Sequence, residues 1–256
     1  MGRIITIANQ KGGVGKTTTA INLSACLAEA GQHVMLVDFD PQGNASSGLG
    51  LEQEDFDKTV YDMMIEEASV DECIIKEIQP HLDVLPSDMN LAGAEIEFQE
   101  VEEKERLLSI YLNQVRDTYD FIIIDCPPSL NILTINALTA ADTVLVPIQC
   151  EYYALEGLNQ VLKTVDLVKR KLNPELELEG VVFTMYDART NLSLEVVESV
   201  KSSLNRTIYK TIIPRNVRLA EAPSHGMSIN LYDSRSTGAE SYRMLAAEVM
   251  SRGEEL

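Results

Sequence analysis

The chain has 256 residues, 45% of them hydrophobic, and 40 acidic against 21 basic residues give it a net charge of −19. This hydrophobic content supports a substantial buried core and excludes wholesale disorder, and apolar runs such as FIII at 121–124 are far too short to cross a bilayer. The four cysteines are widely spaced without a C-x-x-C pair, which argues against a disulfide framework or metal cluster and is typical of a cytoplasmic protein.

The charge is unevenly distributed along the chain. Residues 51–105 hold 18 acidic and 3 basic residues, whereas residues 161–256 hold 13 of each. Any contact with nucleic acid is therefore expected on the C-terminal third.

Short β-branched runs alternate with longer segments of helical periodicity. In chain order the pattern first predicts a strand at 4–8, a glycine loop, a helix at 17–30 capped by Gly31, a strand at 34–38 and a loop at 42–50. The next predicted elements are a helix near 59–67, a strand at 82–86, a helix near 93–116, a strand at 121–125 and a helix near 131–140. The last are a strand at 143–148, a helix at 154–172, a strand at 181–185, a helix at 192–204, a strand at 209–214 and a helix at 237–251. Apolar strands separated by helices indicate an α/β fold, a mostly parallel sheet with helices on both faces. We expect one domain over 1–256, with an acidic helical region at about 51–105 inside it.

The glycine loop between the first strand and the first helix has the sequence QKGGVGKTT (10–18). It ends as a phosphate-binding loop does, with Gly15, Lys16 and Thr17, but Gln10 stands where that motif has its first glycine. Glycines let successive N–H groups turn toward an anion, and the helix N-terminus adds favourable charge. The alternative, a turn without a ligand, fits the spacing poorly. The residues predicted to bind nucleotide here are Lys11, Gly12, Gly13, Val14, Gly15, Lys16, Thr17 and Thr18.

Acidic residues follow two of the predicted strands. Asp125 ends FIIID, where a Walker B carboxylate holds Mg²⁺, and Asp38 and Asp40 end and follow VMLVD. We expect Lys16 to reach the β- and γ-phosphates and the Thr17 hydroxyl to bind Mg²⁺. The alternative interpretation of Asp38 and Asp40 is capping of strand ends.

Five motifs taken together resemble one known family. KGGVGKTT, LVDFDPQGNASSGLG, FIIIDCPPS, TMYDARTNL and IIPRNVRLAEAPSHG are similar, in this order and over essentially the whole chain, to the ParA/Soj family of partition ATPases. That family lies in the deviant Walker A (MinD/ParA) group of P-loop NTPases, and the last two motifs resemble its chromosomal Soj-like branch.

The resemblance implies an ATPase with ATP and Mg²⁺ as cofactors and slow intrinsic turnover. Lys11 would cross to the partner subunit of an ATP-dependent sandwich homodimer, where it neutralises phosphate charge. Asp40 would orient the attacking water, and a ParB-type centromere-binding protein would stimulate hydrolysis. The implied catalytic residues are Lys11, Lys16, Asp40 and Asp125, the metal residues are Thr17, Asp38 and Asp125, and the base neighbours are Thr184, Met185, Pro214 and Asn216.

The resemblance also implies nonspecific binding of the dimer to double-stranded DNA and a nucleoid-associated location. Arg189 and Arg218 are the two predicted DNA-binding residues, and Arg215 is open to either nucleotide or DNA. For each arginine the alternative is an ordinary solvated or ion-paired surface residue. Further candidates on the C-terminal third are Lys201, Arg206, Lys210, Arg235 and Arg243.

Two other functions remain as alternatives. A MinD-like membrane-associated ATPase would need a basic amphipathic C-terminal helix, but this chain ends AAEVMSRGEEL. A metal-cluster ATPase of the same group would need paired cysteines. Because the first predicted strand starts at residue 4, we also expect no N-terminal helix-turn-helix domain.

Overall fold

The computed structural model describes residues 1–66, 68–98, 101–204 and 208–253. Its centre is an eight-stranded sheet with the order β3-β4-β2-β5-β1-β6-β7-β8. The strands are β1 (Arg3–Ile7), β2 (Val34–Asp38), β3 (Ile75–Gln79), β4 (Leu82–Leu85), β5 (Phe121–Asp125), β6 (Thr143–Gln149), β7 (Glu177–Tyr186) and β8 (Ile208–Pro214).

All neighbouring strands pair in parallel except β3 and β4, which are antiparallel. The central strands are buried on both faces, which explains their nearly continuous apolar sequences. The register pairs Ile7 with Asp125 and Asp38 with Asp125, so three strand ends meet at one edge of the sheet. Ligands of open α/β sheets bind at this carboxyl edge.

Helices cover both faces, which confirms the predicted fold class. Alternate residues of β1 enter different cores: Ile5 and Ile7 pack with the helices Lys16–Glu29 and Thr237–Gly253 on one face, and Ile4 packs with Leu107–Val115, Ile132–Ala140 and Ala154–Lys171 on the other. The helices are α1 (Lys16–Glu29), α2 (Asn44–Gly48), α3 (Val60–Ile65), α4 (Val70–Cys73), α5 (Ala94–Glu97), α6 (Leu107–Val115), α7 (Ile132–Ala140), α8 (Ala154–Lys171), α9 (Asn191–Ser203), α10 (Val217–Glu221), α11 (Ile229–Tyr232) and α12 (Thr237–Gly253). None of the described helices is both long enough and apolar enough to span a membrane.

Two of the sequence-based elements are wrong, and one edge strand was not predicted. The single helix predicted near 93–116 is instead a set of short pieces that includes α5 and α6, and Glu103 between them has a left-handed φ of 52° that no α-helix accommodates. The predicted loop at 42–50 contains α2. The edge strand β3 was not predicted, because two of the five residues in its sequence IKEIQ are charged and it lacks a continuous apolar run.

A buried polar cluster ties the first strand to the last helix. Arg3 forms an ion pair with Glu179, and the Tyr209 hydroxyl donates to the same carboxylate at 2.6 Å. Arg3 also donates to the carbonyl of Val249 at 3.0 Å, and the Arg252 guanidinium lies 3.9 Å from the centre of the Tyr209 ring. This cluster fixes α12 against the sheet.

Candidate nucleotide site

The glycine loop turns sharply between β1 and α1. Gly13 and Gly15 have left-handed φ values of 75° and 88°, which side-chain-bearing residues rarely adopt. The Thr184 hydroxyl donates to the Val14 carbonyl at 2.8 Å and so fixes the loop to the end of β7. Thr184 is thus a support for the loop, and its predicted contact with a base stays a prediction.

Lys16 begins α1 and is buried at the base of the loop. Its ammonium donates to the Lys11 carbonyl at 3.1 Å, and it forms no ion pair among the described residues. Burial lowers the pKa of Lys16, while Asp125, Cys126 and Asp40 raise it. A buried cation with acidic groups near it but none in contact is suited to receive a phosphate anion.

Asp125 is completely buried at the end of β5, and neither carboxylate oxygen has a hydrogen-bond partner among the described residues. Burial raises its pKa well above the usual range, and Asp38 raises it further, whereas the neighbouring Thr17 hydroxyl and Lys16 ammonium lower it. An unpaired buried carboxylate is costly unless a cation compensates it. Asp125 and Thr17 therefore fit Mg²⁺, which prefers oxygen ligands.

The described residues contain no group of three or more His, Cys, Asp or Glu side chains that would hold a metal by themselves. Mg²⁺ commonly takes only one or two protein ligands and completes its shell with phosphate and water oxygens. The sparse donor set at Asp125 matches that behaviour.

Asp38 is also completely buried, but its oxygens are occupied. One accepts from the backbone N and the hydroxyl of Ser46, both at 2.8 Å, and the other accepts from the backbone N of Asp40 at 3.3 Å. Burial raises the pKa of Asp38 to about 6, against these hydrogen bonds. Asp38 thus holds the loop that carries Asp40, and its predicted part in the metal site stays a prediction.

Asp40 lies beyond β2 on this loop and is nearly buried. One of its oxygens accepts from the backbone N of Gln42 at 3.0 Å. This contact orients the carboxylate beside the same sheet edge as Asp125.

Lys11 lies at the rim of the loop. Its side chain forms an ion pair with Glu151, at the start of the segment leading into α8, and is about one-third exposed. Its backbone N donates to Asn9 Oδ1 at 3.0 Å, and Asn9 in turn donates to the Pro147 carbonyl at 2.8 Å. In the single chain Lys11 thus contacts Glu151, and its contact with a partner subunit stays a prediction.

A cavity of about 400 Å³ adjoins the loop at Gly15. The predicted residues Thr18, Met185, Pro214 and Asn216 all line it, as does Thr184. Arg215, which the sequence left open to either nucleotide or DNA, lines it too. The remaining lining is mostly apolar and was not predicted: Ile213, Val217, Leu219, Ala220 and Tyr242. The amphipathic pattern of VRLAE is the sequence signal from which the cavity residues of α10 could have been predicted. Tyr242 has no such signal, because the fold brings it to the cavity from the distant α12. Its hydroxyl lies 3.1 Å from the Thr19 hydroxyl. A largely apolar cleft with a few polar groups suits a nucleotide base.

The two predicted DNA-binding arginines lie outside this cavity. Arg189 follows β7 and pairs with Asp187, and Arg218 lies in α10 and pairs with Glu221 and Asp233. Arg206 falls outside the described residues. The four cysteines are buried and free, and burial raises the pKa of Cys126, as does the adjacent Asp125.

The sheet order, the loop and the acidic strand ends together define a P-loop NTPase. A protein-family profile described as an AAA domain (AAA_31) matches residues 2–178. The chain is 58% identical to the sporulation initiation inhibitor protein Soj of Bacillus subtilis, over 99% of this chain and 100% of that one. It is 51% identical to the chromosome partitioning protein ParA of Myxococcus xanthus, over 98% and 89% respectively.

Solved structures of other proteins share the fold. A cobyrinic acid a,c-diamide synthase from Mycobacterium smegmatis with bound ADP and magnesium matches with a TM-score of 0.87 and 35% identity, over 99% of this chain and 96% of that one. The septum site-determining protein MinD from Pyrococcus horikoshii, complexed with Mg-ADP, matches with a TM-score of 0.83 and 26% identity, over 99% and 98%. The chain belongs to the ParA/Soj family of partition ATPases.

Proposed function

We propose that this partition ATPase forms a face-to-face dimer on ATP, binds duplex DNA nonspecifically as that dimer, and is released when a ParB-type centromere-binding protein stimulates hydrolysis. The observation that carries the proposal is the open rim of the nucleotide loop. Lys11 is partly exposed there, and a Cβ on the neighbouring Gly12 would meet no atom within 4 Å. Such a rim leaves room for a second nucleotide loop, and a cation between two triphosphates offsets their strong mutual repulsion.

ATP and Mg²⁺ are the cofactors of this proposal, as ADP, an ATP analogue and magnesium are bound in solved relatives. Thr17 and Asp125 are the residues that would hold the metal ion, which supplies charge compensation for the phosphate oxygens when bound. Lys16 would contact the β- and γ-phosphates from the base of the loop, and the residues of the apolar cavity would hold the base. Asp40, held by Gln42, would orient the attacking water.

We assign DNA binding to Arg189 and Arg218. Both lie beyond the carboxyl ends of neighbouring strands, β7 and β8, and both are exposed. A dimer doubles the number of neutralised phosphates and so steepens both affinity and salt dependence. Local basic groups act despite the net charge of −19, because screening limits the reach of distant carboxylates to about 10 Å. We place the protein in the cytoplasm, on the nucleoid.

We treat residues 1–256 as one domain. The eight strands, drawn from residues 3 to 214, form one sheet, and α12 packs on it together with α1. Within it, the acidic region about 51–105 contributes β3, β4 and several short helices at one edge.

The test measures binding of the protein to random-sequence duplex DNA across a salt series, without nucleotide, with ADP and with ATP. The Asp40→Ala variant is used with ATP to keep the nucleotide intact, and Lys16→Ala serves as the variant that cannot bind ATP. We expect binding only with ATP, falling steeply with salt, and none by Lys16→Ala. Equal binding in all three nucleotide states would refute the switch. No binding in any state, with ATP-dependent sedimentation on anionic vesicles, would favour the MinD-like alternative.

A further inference from the structure

The two predicted DNA-binding arginines are exposed, and each is held by carboxylates of its own chain. The Arg189 guanidinium contacts both oxygens of Asp187, at 2.8 Å and 2.6 Å. Arg218 contacts Glu221 at 2.8 Å and Asp233 at 3.5 Å. We call these five residues the paired-arginine surface.

The two parts of this surface come from segments that follow adjacent strands. Tyr186 of β7 is paired with Pro214 of β8, and the backbone N of Arg215 donates to the Tyr186 carbonyl at 3.0 Å. Arg215 is also close enough to contribute to the lowered pKa of Asp187, which depends chiefly on its hydrogen bonds with Arg189.

We infer that Asp187, Glu221 and Asp233 restrain DNA binding by occupying the guanidinium groups that DNA phosphates would otherwise contact. This inference rests on the proposed function and names three residues that set its strength. A carboxylate presents two oxygens to the guanidinium fork just as a phosphate does, so the two anions compete for the same donors.

Because these arginine–carboxylate pairs are exposed to solvent, DNA phosphates can replace the carboxylates reversibly. The Arg189 side chain is 85% exposed and that of Arg218 is 54% exposed. Ion pairs in such positions are weak, each changing an equilibrium by about 1.4- to 5-fold. DNA can therefore displace the carboxylates, but one protomer gains little by doing so, whereas a dimer engages two such surfaces at once. The carboxylates would thereby keep single subunits off DNA.

A structural role alone is the competing explanation, because Asp187 also organises its turn. Its Oδ1 accepts from the backbone N of Arg189 at 3.0 Å. An asparagine at position 187 retains this acceptor and loses the charge, so Asp187→Asn separates the two explanations.

The experiment compares DNA affinity of Asp187→Asn with that of its parent, both carrying Asp40→Ala and saturated with ATP, on random-sequence duplex. We expect the Asp187→Asn protein to bind DNA about 2- to 30-fold more tightly than its parent. This range is the effect of losing one exposed ion pair, squared because the dimer contains the pair twice. The gain must disappear when Arg189→Ala is added, since the arginine is then absent. Glu195→Gln is the matched control: it removes one exposed charge from nearby α9, where no arginine contact is described, and it should change affinity much less.

Asp233→Asn provides an independent arm for Arg218, with Arg218→Ala as its cycle partner. Unchanged or weaker binding by both asparagine variants, or an equal gain in the arginine-free backgrounds, overturns the inference. If the parent nevertheless binds DNA in the normal ATP-dependent way, either of these two results contradicts only the inference and not the proposed function. Absence of DNA binding by the parent and by every variant overturns both.

Discussion

Ser46 donates two hydrogen bonds, from its backbone N and its hydroxyl, to one oxygen of Asp38, each at 2.8 Å. The pair joins the end of β2 to the first turn of α2. Because Asp38 is completely buried, these donors replace the water that a free carboxylate would bind. The loop between them carries Asp40, so its conformation depends on this contact.

Replacing Ser46 with alanine should therefore destabilise the protein. The variant removes one of the donors to a buried carboxylate, and we expect the free energy of unfolding in urea to fall by about 1–3 kcal/mol. Ser47→Ala is the matched control, since the adjacent serine is exposed, and it should change stability by less than about 0.5 kcal/mol. Equal urea midpoints for the two variants would contradict the assigned role of Ser46.

Asp125→Asn should stabilise the nucleotide-free protein while destroying its affinity for Mg²⁺-ATP. The wild-type carboxylate is buried with both oxygens unpaired among the described residues, so removing its charge relieves a desolvation cost. We expect the unfolding free energy at pH 7 to rise by about 1–3 kcal/mol. Urea unfolding without nucleotide, alongside ATP titration with Mg²⁺, measures both effects. A variant less stable than wild type would mean that the Asp125 carboxylate is satisfied in the free protein.

The same two buried carboxylates predict how stability varies with pH. Burial raises the pKa of Asp38 from 3.8 to about 6 in the folded chain, so between these values the folded state binds more protons than the unfolded state. The free energy of unfolding should fall as pH rises from about 4 to about 6, on the order of 3 kcal/mol for this group. Asp125 acts in the same direction. Urea unfolding of nucleotide-free protein at pH 4.5, 5.5 and 6.5 measures the trend, and stability rising steadily over this range would contradict it.

Gly12→Val should block dimerisation without harming the fold. A Cβ at Gly12 would meet no atom within 4 Å of its own chain, and the backbone there is not left-handed. Any loss of the ATP dimer would then come from a clash between subunits. Sedimentation velocity with ATP in the Asp40→Ala background measures the dimer, and ATP binding should persist. Gly13→Val is the contrasting variant, because its φ of 75° predicts strain within the loop itself. A normal ATP dimer of Gly12→Val would argue against packing of the two loops.

Glu151→Gln should strengthen the ATP dimer. Glu151 holds Lys11 within one chain, and weakening that ion pair makes the lysine available to a partner. We expect dimerisation several-fold tighter, in line with the strength of a partly exposed ion pair. Glu156→Gln, an exposed glutamate in the first turn of α8, is the control. A weaker dimer for Glu151→Gln would mean that Glu151 itself contributes to the interface.

The parts of the candidate site that are formed by neighbouring residues in the sequence lie where the sequence predicted them. The loop at Gly12–Thr18 and the aspartates at 38, 40 and 125 lie where strand ends of a parallel sheet must place them. Their motifs are local, so periodicity and glycine spacing were enough to locate them.

What depended on distant contacts was not predicted. Tyr242 reaches the base cavity from the last helix, and Glu151 meets Lys11 across the sheet edge. Ser46 was read as part of a loop because NASSG has no apolar repeat, although the buried Asp38 beside it fixes that segment. In each case a tertiary contact decides the outcome, and a single sequence does not encode that contact locally.

The contacts between α12 and the start of the chain impose an order on folding during synthesis. Helix α1, which carries the nucleotide loop, packs against α12, and the hydroxyl groups of Thr19 and Tyr242 lie 3.1 Å apart. Arg3 likewise needs Glu179 and Val249. A ribosome-bound chain that ends before residue 237 lacks this helix. Helix α1 and the nucleotide loop therefore cannot complete their packing, and cannot hold ATP firmly, until the C-terminal part of the chain has been synthesised.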